Sequence, residues 1–259
     1  MFAFYGASPA SLQQLQSHHD KIDVLAPTGY TLTRSGLTGA PDPRTLTLCR
    51  SLGVAYWPVV GVQNPNLHAI SAALLASLPE RSGAAGLTLD FEGMSPDEGP
   101  AFLALVTSLA AALHANGHSL AIYTPRPNAG DGAYQRAALA NVADVLLVSA
   151  YNEHWASSTP GPIATAAGVQ ASIDCAQGAG ANSGIVAGAF GYSWNTTPAK
   201  LFTAAQGPDM SAASGEGGCF WEGPSDTIAR YQAATAARLQ WFGLYSLGFE
   251  ADSVWEGIA

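Results

Sequence analysis

The run Gly86-Leu87-Thr88-Leu89-Asp90-Phe91-Glu92-Gly93-Met94 alternates an apolar set, Leu87, Leu89 and Phe91, with Thr88, Asp90 and Glu92. A β-strand sends successive side chains to opposite faces, so the second set shares one face and its two carboxylates stand about 7 Å apart along the chain. Both fall at the strand's C-terminal end, just before a glycine. Which fold would keep two carboxylates there depends on what surrounds this strand.

Upstream, FAFY (from Phe2), IDVLA (from Ile22) and VAYWPVV (from Val54) are short, nearly continuous apolar runs. Downstream follow SLAIYT (from Ser119), DVLLVSAY (from Asp144), IVAGAF (from Ile185) and FGLYSLGF (from Phe242). Such runs are expected of parallel strands covered on both faces. Helix signals lie between them. Ser8-Pro9 and Ser95-Pro96 each put an N-cap before a proline, and Ser95 to Glu98 fits a capping box. Leu67, Ile70, Leu74 and Leu78 repeat at helical spacing, with Pro79 expected to close the run. Phe102, Val106, Leu109 and Leu113 repeat likewise before Gly117. Eight strand–helix units favour an α/β fold of the (β/α)₈ TIM-barrel type over an open doubly wound sheet, which also needs a glycine-rich nucleotide turn absent here. Residues 1–259 read as a single domain with no linker or repeat. A stretch at about 192–224 lacks helical periodicity and is expected to form a long loop, with an extended piece at GCFWEG. In such barrels, catalytic groups gather at the C-terminal ends of the strands, where Asp90 and Glu92 fall.

Composition narrows the partners. Charged residues make up 11% of the chain, against roughly 25% in an ordinary soluble domain. Net charge is −9, with Lys21 and Lys200 the only lysines. No basic stripe exists to displace counterions, so nucleic acid is not an expected partner. The apolar stretch FLALVTSLAAAL is too short and polar for a membrane span, and MFAFYG opens directly on a strand without signal-peptide features. A monomer acting without a membrane is expected. Cys49, Cys175 and Cys219 match no zinc or redox spacing and read as small buried apolar residues, with one disulfide left open. No histidine or cysteine cluster points to a metal, and no cofactor is expected.

The fourth-strand run resembles the signature of glycoside hydrolase family 18, which ends Asp-x-Glu. Further pieces follow in the same order. IDVLAPTGYTL resembles the family's second strand, leading into an apolar-proline turn. DVLLVSAYNEHW followed by PGPIA resembles its sixth strand, with a tyrosine near the end. IVAGAFGYSW resembles the seventh, and FWEGPSDTIARY with FGLYSLGFEADSVW resembles the last helix and strand of the branch that includes spore-cortex peptidoglycan hydrolases. The resemblance implies a glycosidase acting on polymers of N-acetylglucosamine, with peptidoglycan favoured and chitin-like polymers next. It also implies a substrate-assisted mechanism. Glu92 would be the general acid, Asp90 the group that orients the acetamido N–H, and Tyr151 a donor to the acetamido carbonyl. Repulsion between the paired carboxylates would raise the pKa of one member.

The sequence departs from the family pattern in four places. Ala85 and Thr88 replace two earlier aspartates, which leaves Asp90 more strongly ionised or held by Thr88. Asn152 stands where an acidic residue is common, still able to bind sugar hydroxyls. Tyr245 stands where a tryptophan usually floors the reacting sugar. Tyr5, Trp155 and Trp194 complete the expected substrate-binding set; Trp57 and Trp221 are weaker stacking candidates. His18 and His19 read as solvent-facing and His154 as a rim residue. The alternative function is a catalytically inactive, lectin-like barrel that binds N-acetylated glycans, against which the presence of Glu92 argues. A phosphate-handling barrel would need a glycine-rich loop late in the chain, unlike AFGYSWN or SLGFEAD.

Overall fold

The computed structural model describes residues 1–33, 36–128, 132–203, 215 and 218–258. Eight parallel strands follow the chain: β1 (Phe2–Tyr5), β2 (Val24–Thr33), β3 (Ala55–Tyr56 and Val59–Gln63), β4 (Gly86–Glu92), β5 (Ser119–Thr124), β6 (Val145–Ser149), β7 (Ser183–Gly188) and β8 (Trp241–Leu247). Each pairs with its sequence neighbours, and β1 pairs with both β2 and β8, so the sheet closes into a barrel. Helices α1 (Pro9–His18), α2 (Pro43–Leu52), α3 (Ala72–Ser82), α4 (Gly99–Ala115), α5 (Arg136–Ala140), α6 (Ala166–Ala179) and α7 (Pro224–Ala236) follow the first seven strands in turn. The expected (β/α)₈ barrel is the fold of this chain.

Strand alternation divides the core. Phe2, Phe4, Val24, Ala26, Trp57, Val59, Ala121, Tyr123, Val145, Leu147 and Val186 fill the barrel interior. The intervening residues, such as Ala3, Tyr5, Leu25 and Leu244, pack outward under the helices. The third strand breaks at Trp57-Pro58, where proline has no N–H to give the ladder. The stretch Pro96–Ala115 is long and apolar enough by composition to cross a membrane. In this fold its Phe102, Val106, Leu109 and Leu113 are buried in the layer between helices and barrel.

Several expectations are corrected. Pro27 does not lead into a turn: β2 runs through it to Thr33 and folds back as a hairpin on Gly36–Thr38. The pairing with β3 shifts register between Thr28 and Tyr30, the kind of irregularity that accommodates a proline beside it. Pro79 does not end α3, which starts at the Ser71 N-cap and stops where Gly83 turns left-handed at φ 74°. The stretch expected as a loop carries its own antiparallel sheet, Phe190–Ser193 between Lys200–Thr203 and Cys219–Trp221. The extended piece at GCFWEG is its third strand; residues 204–214 and 216–217 lie outside the described set. Among the described residues no α-helix follows β8. A short turn at Asp252–Val254 takes its place, and Trp255 stacks flat on His18 with ring centroids 4.6 Å apart. His18 is therefore a packing residue, not a solvent-facing one.

Candidate active site

Asp90 and Glu92 point into the mouth of the barrel from the last turn of the β4 pleat. Asp90 lies opposite Gly61 of β3 and Tyr123 of β5, and Glu92 lies opposite Gln63. Their surroundings differ. Glu92 is half-buried and accepts a hydrogen bond from the Gln63 side-chain amide. Asp90 is enclosed, and its Oδ1 has no hydrogen-bond partner among the described residues. Burial pushes the Asp90 carboxyl up from 3.8 to about 7, and the charge of Glu92 pushes the same way. The group raised by the pairing is thus the inner carboxyl. The expectation that Asp90 would be more strongly ionised, or held by Thr88, is overturned. Thr88 is fully buried one pleat deeper and donates its hydroxyl to the Trp57 carbonyl oxygen at 3.0 Å.

An aromatic wall faces the carboxylates. Tyr151, just past β6, and Tyr245 of β8 stack with centroids 5.5 Å apart and planes at 25°. Phe190 meets both edge-on, at 5.6 and 6.0 Å. Tyr245 keeps part of its ring exposed while Tyr151 is buried beneath it. Burial raises the hydroxyl pKa of Tyr151 and Tyr245, and the negative field of Asp90 reaches both. Each is therefore a neutral donor. The Tyr123 hydroxyl donates to that of Tyr151 at 3.0 Å, which leaves the Tyr151 proton for another acceptor. From Phe190 the rings continue outward along the small sheet: Tyr192 at 5.6 Å, then Trp194 at 5.6 Å, then Phe220 at 5.8 Å. Trp194 donates its indole N–H to the Ser158 carbonyl at 3.1 Å, tying this sheet to the loop after β6. In that loop Trp155 stands 49% exposed, as an aromatic ring held out at a cleft rim would.

The expected site residues thus divide. The barrel mouth brings together Asp90, Glu92, Tyr151 and Tyr245. Trp155 and Trp194 stand on the two joined loops beside it. Asn152 is exposed in a left-handed conformation, φ 61°, immediately after Tyr151. Tyr5 does not join them. Phe2 and Phe4 take the interior face of β1, so Tyr5 turns outward and packs beside Cys49 and Leu25. Trp57 and Trp221 are buried and offer no stacking face. Reading the sequence missed Tyr123, Gln63 and Phe190. The signal for Tyr123 was present, since it falls on the inward set of β5, level with Asp90.

Two hollows adjoin along Val62 and Gln63, and the smaller reaches Asp90. One, of about 430 Å³, is lined by Thr28, Tyr30, Gly61, Gln63 and Asp90. A larger one, of about 840 Å³, lies between the β2 hairpin and the segment entering α3 and shares Val62 and Gln63 with the first. Among the described residues no cluster of histidine, cysteine and carboxylate side chains has the makings of a metal site.

No family model matches the chain. The uncharacterized glycosylase YvbX of Bacillus subtilis is 20% identical over 220 residues, which are 75% of this chain and 64% of that protein. The chain therefore spans less than two thirds of that relative. Among solved structures, a chitinase from Chromobacterium violaceum superposes with a TM-score of 0.86 at 20% identity, covering 99% of this chain and 96% of the other. The spore cortex-lytic enzyme SleL of Bacillus cereus gives 0.79 at 13% identity, covering 99% of this chain and 73% of the other. A glycoside hydrolase family 18 chitinase, ChiB of Flavobacterium johnsoniae, gives 0.78 at 13%, covering 99% and 91%. The chain has the fold of these chitinases and cortex-lytic enzymes, the group to which its sequence resemblance pointed.

Proposed function

We propose that this protein is a retaining glycoside hydrolase that cuts β-linked N-acetylglucosamine polymers with the help of the substrate's own acetamido group, peptidoglycan being favoured and chitin-like polymers next. The observation that carries the reading is the unequal carboxylate pair at the end of β4, with a neutral tyrosine donor across the barrel mouth. Two carboxylates on one strand cannot flank a sugar from opposite faces as acid and nucleophile must. They serve well side by side when the nucleophile belongs to the substrate.

In the first step the acetamido oxygen forms a bond to the anomeric carbon while the bond to the leaving oxygen breaks. Glu92, half-exposed toward the cleft, gives its proton to that leaving oxygen. Asp90 accepts the acetamido N–H, and the Tyr151 hydroxyl donates to the acetamido oxygen. Positive charge develops on the resulting oxazolinium ring beside Asp90, in an enclosed site where a fixed charge acts strongly. With its carboxyl raised to about 7, Asp90 is ionised in part of the molecules near neutrality, and the ionised form is the one that faces the positive ring. Glu92, now ionised, takes a proton from water, which opens the ring at the anomeric carbon. Tyr245 supplies the floor, and Trp155 and Trp194 offer stacking faces to sugars farther along the polymer.

The sequence of the last helix and strand, FWEGPSDTIARY with FGLYSLGFEADSVW, which resembles the cortex-hydrolase branch, is what supports peptidoglycan over chitin as substrate. Mass spectrometry of products from purified peptidoglycan and from chitin oligosaccharides tests both points. Reducing N-acetylglucosamine ends from peptidoglycan are expected. Reducing N-acetylmuramic ends would reassign the bond, and intact polymers that are nevertheless bound would replace the enzyme by a lectin.

A further inference from the structure

Glu92 is placed by the turn after β3 as much as by its own strand. Gln63, the last residue of β3, lies opposite Glu92 in the ladder, and its side-chain Nε2 donates to Glu92 Oε2. The next residue, Asn64, is left-handed at φ 52° and donates its backbone N–H to the Glu92 carbonyl oxygen at 2.8 Å. Gly93 is left-handed as well, at φ 75°, and a Cβ built there would meet Asn64 Oδ1 at 2.6 Å. The two turns therefore interlock, with the Gln63–Glu92 pair inside the junction. Gln63 also lines both hollows, the smaller of which reaches Asp90.

From this geometry we infer that Gln63 is the positioning residue of the general acid, assigning Glu92 Oε1 as the oxygen that carries the transferred proton. An amide N–H only donates, so the oxygen that accepts it is a poor seat for a proton, and the proton takes the other one. When Oε1 passes its proton to the leaving oxygen, the full negative charge on Glu92 is met by a donor already in place. The inference rests on Glu92 being the general acid, but its structural half can be read without substrate.

Two measurements test it. In ¹H–¹⁵N spectra at fixed pH, the Gln63 side-chain amide proton is expected to resonate downfield, as a donor to a carboxylate does. In Glu92→Ala, which removes that acceptor, it should move to the position of a solvent-exposed amide. In kinetics on aryl N-acetylated glycosides, Gln63→Met keeps the side chain's length but lacks the donor. It should lose about tenfold or more in kcat with poor leaving groups, with KM nearly unchanged, and little with dinitrophenol. An amide signal indifferent to Glu92 would overturn the inference, as would an equal loss across all leaving groups. If the wild type proves inert on every N-acetylated glycan, the proposed function falls, while the amide signal still decides whether Gln63 holds Glu92.

Discussion

The two walls of the cleft are held by different forces. On the β3–β4 side, groups are fixed by directed hydrogen bonds: Gln63 to the Glu92 carboxylate, Asn64 N–H to the Glu92 carbonyl at 2.8 Å, and the Tyr134 hydroxyl to the Phe91 carbonyl at 2.8 Å. On the β6–β8 side, Tyr151, Phe190 and Tyr245 are held mainly by ring contacts 5.5 to 6.0 Å between centroids. A hydrogen bond weakens steeply with angle and so fixes an atom; ring packing is broad and tolerates sliding. Proton transfer at one bond needs the first kind of wall. A polymer that must enter, stack and leave needs the second.

The division is broken most severely by removing the acid. Glu92→Gln keeps the shape and loses the transferable proton, so activity on an unactivated glycan should fall about 10²–10⁴-fold. A dinitrophenyl leaving group, which needs no protonation, should lose much less. Retention of more than half the wild-type rate on the natural polymer would remove Glu92 from its role.

Asp90 gives the next effect, read as stability. Its carboxyl rises from 3.8 to about 7 because folding buries it. The folded state therefore binds this proton more tightly than the unfolded chain does. Its contribution to stability is fully present below about pH 4 and is lost as pH rises through 7. The span from 3.8 to 7 corresponds to about 4 kcal/mol. Burial raises Glu222 to about 8 and Glu250 to about 7 in the same direction, so wild type and Asp90→Asn must be compared. The stability of the wild type relative to the variant should decline by roughly that amount between pH 4 and pH 8, measured by denaturant unfolding. Parallel pH dependences would show that Asp90 is not a desolvated acid.

On the ring side the smallest effect is expected. Tyr245→Ala removes the exposed floor and should weaken oligosaccharide binding by about 1–2 kcal/mol. Tyr245→Trp restores a stacking face and should bind at least as well as wild type, provided Phe4, Phe190 and Phe249 make room for it. Calorimetric titration with a chitin oligosaccharide on the Glu92→Gln background measures both. Unchanged binding in the two variants would mean the sugar rests elsewhere.

The hydrogen-bonded wall and the ring wall were unequally legible in the sequence. All eight barrel strands could be read, because strands covered on both faces leave continuous apolar runs. Asp90 and Glu92 could be placed from the pleat alone. The same pleat sets Phe2 and Phe4 of FAFY on one face and Tyr5 on the other, and the closed barrel turns the phenylalanines inward. Gln63 could not be found, because its role depends on which residue of β4 lies opposite, and that register is a property of the closed sheet. The small sheet at Phe190–Ser193 takes its third strand from Cys219–Trp221, across a stretch rich in glycine, serine and alanine where local pattern says little. Thr88 was expected to hold Asp90, yet the buried carbonyl of Trp57 offered it a fixed acceptor instead.

The central claim is that the nucleophile belongs to the substrate and that the two carboxylates of β4 work on the same side of the reaction. Proton NMR of freshly released product, recorded before mutarotation, tests this most directly. Ring closure and water attack each invert the anomeric carbon once, so the initial product should be the β-anomer, and a fully deacetylated polymer should yield no product at all. An initial α-anomer would mean a single inversion by water, and the account of Asp90, Glu92 and Tyr151 given above would be contradicted.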